Sequence, residues 1–128
     1  MPFDRQKCIR YYLSGNDMPE RRRTHVQRIL GCDICQDCCP HNTQAGWDEP
    51  FAKHAAAMNI GRILSGDIVD ARELVGANYG RKKRLACHAT LLVGAQRITK
   101  YKPLVENLVD DEFELLAEYA RWAVQRMQ

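Results

Sequence analysis

Asp111-Glu112-Phe113-Glu114-Leu115-Leu116-Ala117-Glu118-Tyr119-Ala120-Arg121-Trp122-Ala123-Val124-Gln125-Arg126-Met127 reads as an amphipathic helix. Phe113, Leu116, Ala117, Ala120, Val124 and Met127 recur at three- and four-residue steps, which sets them on one face of a 3.6-residue period. Asp111 and Glu114 resemble a capping box, and Arg121 and Arg126 lie near the negative end of the helix dipole. Such a helix has to bury its apolar face against something, so the search moves upstream for a partner of the same kind.

Upstream, Leu85, Ala89, Leu92 and Ile98 make a second stripe between Arg81 and Ile98, which Lys102-Pro103 is expected to close. Met58, Ile60, Ile63 and Leu64 precede a break at Ser65-Gly66. Asp67 can then cap a helix carrying Ile68, Ala71, Leu74 and Val75. Pro19-Glu20 suits a helix start, and the run to Leu30 predicts a short helix leading into the segment at Gly31. Thr43 to Pro50, with Gly46 and Pro50, predicts a loop. No run shows the two-residue alternation of a strand, so the expected fold is mostly α. Consecutive antiparallel helix pairs would suit a unit of an α-solenoid.

The 128 residues fit one domain, with residues 1–50 as a cysteine-bearing segment and 51–128 as a helical segment packed against it. Charged residues make up 27% and hydrophobic ones 45%, and no apolar run approaches the ~18 residues of a membrane span. Met1 to Lys7 lacks the apolar core of a secretory signal, so a cytoplasmic chain with reduced thiols is expected and no membrane partner.

Six cysteines are too few for a disulfide scaffold, and four of them fall within Cys32 to Cys39, which suits a metal site better. Cys32, Cys35 and Cys39, followed by Pro40, are spaced as the last three ligands of the bacterial ferredoxin run C-x2-C-x2-C-x3-C-P. A ferredoxin-like cysteine loop is therefore expected, its thiolates serving separate irons of a [4Fe-4S] cluster. Gly31 permits the chain to approach closely. Cys8 is a remote candidate for the ligand missing from the local run. Cys38 offers a second solution, because Cys32, Cys35 and Cys38 form C-x2-C-x2-C and with Cys8 supply four thiolates. Spacing does not rank Cys38 against Cys39. Cys87 falls in an apolar stripe and reads as core, and His25, His54 and His88 lack a second ligand at a suitable spacing.

Lys7-Cys8-Ile9-Arg10-Tyr11-Tyr12-Leu13, Gly31-Cys32-Asp33-Ile34-Cys35-Gln36 and Cys39-Pro40-His41-Asn42 resemble the second cysteine motif of the epoxyqueuosine reductase family. The helical remainder, through Ala120-Arg121-Trp122-Ala123, resembles that family's HEAT-like tail. The resemblance implies an oxidoreductase that reduces epoxyqueuosine in tRNA to queuosine with cobalamin and two [4Fe-4S] clusters. It further implies that Cys8, Cys32 and Cys35 hold one cluster with a cysteine of the family's first motif, while Cys39 reaches the other. The family's cobalamin domain, catalytic acid and first cysteine motif have no counterpart in these residues. Cobalamin is thus expected only through a further reductase region or subunit, and the chain alone is not expected to be catalytic. Cys38 and His41 depart from the family pattern.

Zinc is the competing metal, since Cys32, Cys35, Cys38 or Cys39, and His41 offer sulfur and imidazole for a tetrahedral structural site. A metal-independent helical RNA adaptor is a third reading. The net charge is only +3, but the basic residues cluster at Arg21 to Arg23 with Arg28, and at Arg81, Lys82, Lys83 and Arg84. The second group, at a helix start where cations oppose the dipole, is the candidate contact for tRNA.

Overall fold

The computed structural model describes residues 4–13, 17–43 and 51–128, and among them the chain forms helices and no strand. In order these are α1 (Ile9–Leu13), α2 (Glu20–Arg23), α3 (Ile34–Asp37), α4 (Phe51–Ala57), α5 (Ile60–Leu64), α6 (Val69–Val75), α7 (Arg84–Gln96), α8 (Lys102–Glu106) and α9 (Glu114–Arg126). The loop expected over Thr43 to Pro50 lies, beyond Thr43, outside the described residues.

Helix α7 is the axis of the core. Leu85, Cys87, His88, Ala89, Thr90, Leu91, Leu92, Val93 and Gly94 are all buried, so the helix is covered on more sides than the expected stripe requires. Its main neighbour is α9, which turns Leu116, Ala117, Tyr119, Ala120, Trp122 and Ala123 inward. The two run in the same direction. Lys83, just ahead of α7, pairs with Asp111, just ahead of α9, while Gly94 near the end of α7 faces Trp122 and Ala123 near the end of α9. The expected antiparallel pairing is therefore not the dominant contact. The chain must travel back between two parallel helices, and α8 lies on that return path, packed on α9 and α5.

Three local expectations change for physical reasons. Pro103 starts α8 instead of closing a helix, since a proline in the first turn loses no helical hydrogen bond. Helix α2 ends at Arg23 and does not run on to Leu30. Arg23 folds inward there, its Nε donating to the Met18 carbonyl at 2.9 Å, and Val26 and Ile29 follow it into the core. The capping box ahead of α9 does not form: Asp111 accepts from the Phe113 N–H at 2.8 Å and from Lys83, and Glu114 accepts from Arg121 at 3.0 Å. Asp67 does receive the Val69 N–H at the start of α6, and it also binds Arg62 at 2.8 Å. The expected break is present, with Ser65 ending α5 and Gly66 at φ +86°. Leu74, expected in the α6 stripe, is exposed, as is Val69.

The first half of the chain is keyed to α7 and α9. The Tyr119 hydroxyl accepts from the Met18 N–H at 2.8 Å, and Arg23 pairs with Glu118 and stacks on the Tyr119 ring at 4.9 Å. One apolar cluster then runs from Ile9 through Met18, Val26 and Leu91 to Met127.

Close approach of α7 and α9 depends on Gly94. A Cβ there would stand 2.6 Å from Trp122 Cζ3, 2.7 Å from Ala123 Cβ and 2.8 Å from Ala123 Cα. Overpacking of that severity outweighs the ~1 kcal/mol that alanine gains in helix propensity, so Gly94→Ala should destabilise the chain by about 2 kcal/mol. Urea unfolding should show a lower midpoint at unchanged slope. Stability equal to the parent's would mean that the two helices separate without cost.

Candidate metal centre

Two segments carry the candidate ligands. Cys8 follows a single 3-10 turn, Arg5–Lys7, closed by its N–H to the Arg5 carbonyl at 3.1 Å, and it leads into α1. Arg22 of α2 holds this segment from outside, donating to the Lys7 carbonyl at 3.2 Å and lying 5.8 Å from the Tyr12 ring centre.

The second segment begins at Gly31, whose φ of +73° is a left-handed turn that costs glycine nothing. Arg28 and Asp33 form an ion pair across this turn. Cys35 then lies on the helical turn α3, and Cys39 is extended before the 3-10 turn Pro40–Asn42. The Asn42 amide donates to the Gln36 side chain and to the Gln36 carbonyl, so Cys38 and Cys39 sit within a clasped loop. Asn42 and Gln36 stand in the quoted motifs, but nothing in their spacing shows that they bond to each other.

All six cysteines are free thiols. Cys35 and Cys38 are exposed, Cys8, Cys32 and Cys39 half-buried. Among the described residues no three of histidine, cysteine, aspartate or glutamate are gathered to hold a single metal ion. In its chemistry the donor set suits a cluster: four thiols on one short loop and a fifth on a separate segment, with ligands to a cubane spread over separate irons.

Cys87 is buried in the core, where desolvation pushes its thiol up to about 12, and it is no ligand candidate. His88 beside it is buried too, its Nδ1 lying 2.8 Å from the Ile29 carbonyl oxygen. Burial first, and the nearby charges of Arg84 and Arg10, push the imidazole down to about 4. The ring is neutral at physiological pH. His25, His41 and His54 are exposed.

The basic clusters divide. Arg23 is a buried structural residue and leaves the group at Arg21 to Arg23. Lys83 is committed to Asp111, at 2.7 and 2.8 Å, and to Glu112 at 3.6 Å, and these acceptors hold its ammonium above the usual lysine range. Arg84 lies 5.7 Å from the Tyr79 ring centre, Arg81 is exposed, and the Lys82 side chain falls outside the described residues. The fold adds Arg10, which the sequence reading gave no role: it donates to the Tyr79 hydroxyl at 2.7 Å. Tyr79 thus stands between arginines from distant parts of the chain.

No family model matches the chain, and no solved structure does. Curated relatives do. The epoxyqueuosine reductase of Bacillus cereus is 25% identical over 98% of this chain and 36% of its own length, as is that of Bacillus anthracis. That of Gloeobacter violaceus is 37% identical over 33% of the chain and 14% of the enzyme. The chain is similar to epoxyqueuosine reductases. It spans about a third of the length of the two Bacillus enzymes.

Thiol chemistry gives a direct check on this geometry. Anaerobic alkylation of the metal-free chain should label Cys35 and Cys38 first and Cys87 only through global unfolding, because thiolate fraction and access both govern the rate. Mass spectrometry showing Cys87 labelled as fast as Cys35 would mean that α7 opens in the native state.

Proposed function

We propose that this chain is a [4Fe-4S]-binding electron-transfer module of an oxidoreductase related to epoxyqueuosine reductases. The observation that supports it most is the Gly31–Asn42 segment, which sets four thiols on one short loop braced by Arg28–Asp33 and by Asn42–Gln36. Cys32 and Cys35 would hold the cluster from that loop, Cys8 from the segment that leads into α1, and Cys39 or Cys38 would complete or extend the set. A bound cluster supplies one-electron transfer. The protein's own work is to hold the thiolates. Cobalamin would come from a reductase domain or subunit acting with this chain, and the chain alone would leave epoxyqueuosine unreduced.

Anaerobic reconstitution with iron and sulfide should give about four irons per chain and broad visible absorption that bleaches on reduction. Cys32→Ser and Cys35→Ser should each abolish that absorption while circular dichroism stays helical. Stoichiometric zinc with no uptake of iron would overturn the assignment in favour of a structural zinc site.

The Arg10–Tyr79–Arg84 surface supports tRNA as the partner, because guanidinium groups held on an aromatic ring can meet phosphate without large ordering costs. Arg84→Ala should weaken tRNA binding and lower its salt dependence by about one unit of slope. Binding equal to the parent's at every salt concentration would remove this support.

A further inference from the structure

His88 is a buried polar side chain that lies outside the candidate ligand set. His88 sits near the start of α7, the most thoroughly buried helix, with Cys87 and Ala89 packed on either side. Its Nδ1 is 2.8 Å from the Ile29 carbonyl oxygen. A carbonyl oxygen only accepts, so Nδ1 carries the proton and donates. Ile29 is followed by Leu30, the left-handed Gly31 and Cys32, so fixing its carbonyl fixes the point from which the cysteine loop departs. The same ring also meets the backbone carbonyl of Leu13, the last residue of the helix that begins just after Cys8. One imidazole therefore touches both cysteine-bearing segments, which are otherwise far apart in the chain.

We propose that His88 is a positioning residue that fixes the Cys32 loop relative to the Cys8 helix and so sets the spacing of the cluster ligands. The proposal rests on the cluster reading above. It needs a rigid donor, and α7 provides one: Ala89 and Val93 are fully buried, and the helix is locked against α9 through Gly94. The neutral ring has a single N–H, and it goes to Ile29. Tyr79 meets the ring edge-on, with centroids 6.4 Å apart, and limits its rotation. Ligands spaced in advance by such outer contacts bind more tightly than ligands that must be ordered by the metal.

His88→Leu keeps an apolar side chain of comparable reach and removes the donor, whereas His88→Asn returns an amide N–H near the position of Nδ1. In the metal-free chain, amide exchange at Gly31, Cys32 and Asp33 should quicken by about tenfold in His88→Leu and stay near the parent rate in His88→Asn. After anaerobic reconstitution, His88→Leu should lose iron to a chelator roughly tenfold faster than the parent, and His88→Asn should restore retention. A purely structural histidine would not give rescue by asparagine at these amides. If His88→Leu loses its helical circular dichroism, His88→Gln, whose amide reaches the Nε2 position, takes its place and must show the same contrast with His88→Asn. Exchange and iron retention in His88→Leu equal to the parent's overturn the proposal. A parent chain that takes up no iron overturns the cluster reading instead, and the exchange contrast still decides the clamp.

Discussion

The guanidinium of Arg23 joins the two halves of this chain, and much of the arrangement follows from it. The group is buried, donates to the Met18 carbonyl, pairs with Glu118 and lies over the rings of Tyr119 and Trp122. Removing one partner of a buried ion pair costs about 3–5 kcal/mol, because the remaining charge is left without compensation. Glu118 is nearly half exposed, so water already screens part of this pair and its share lies toward the low end. The hydrogen bond from the Met18 N–H to the Tyr119 hydroxyl reinforces the same junction. This polar junction adds to the apolar contacts through which Leu13, Met18 and Val26 share one core with α9.

The fold divides the labour between a stiff part and a yielding one. α7 and α9 lie close enough that only glycine fits at position 94, and parallel packing sets both helix starts at one end, where Lys83 bridges to Asp111. The cysteine segment is held instead by a few polar contacts at the surface: Arg28 to Asp33, Asn42 to Gln36 and Arg22 to Lys7. Exposed contacts of this kind are individually weak. A loop built this way can adjust around a cluster, while its root at Ile29 stays tied to the core.

Helical periodicity was legible in the residues because α9 and α5 each bury one face, which leaves a regular apolar pattern. It failed where burial is not one-sided. α7 is apolar on nearly all sides, so its stripe showed no direction for its partner, and α2 stops early because Arg23 is drawn inward by groups almost a hundred positions away. Charge clusters misled for the same reason: Arg23 and Lys83 look like solvated cations in sequence, and their acceptors, Glu118 and Asp111, are distant in the chain.

For the candidate site, the residue types and spacing of Cys32, Cys35, Cys38 and Cys39 by themselves determined the chemistry on offer, because soft thiolates at short intervals suit iron or zinc in any fold. Cys87 was separable from them by its apolar neighbours, and its burial follows. Only the tertiary structure decided what surrounds those thiols: the Asn42 clasp, the Arg10–Tyr79–Arg84 surface, and the contact from His88 to Ile29. The last two join residues with dozens of positions between them. A short-range pattern records what a residue can do chemically, while a hydrogen bond between remote segments exists only once packing has brought donor and acceptor together.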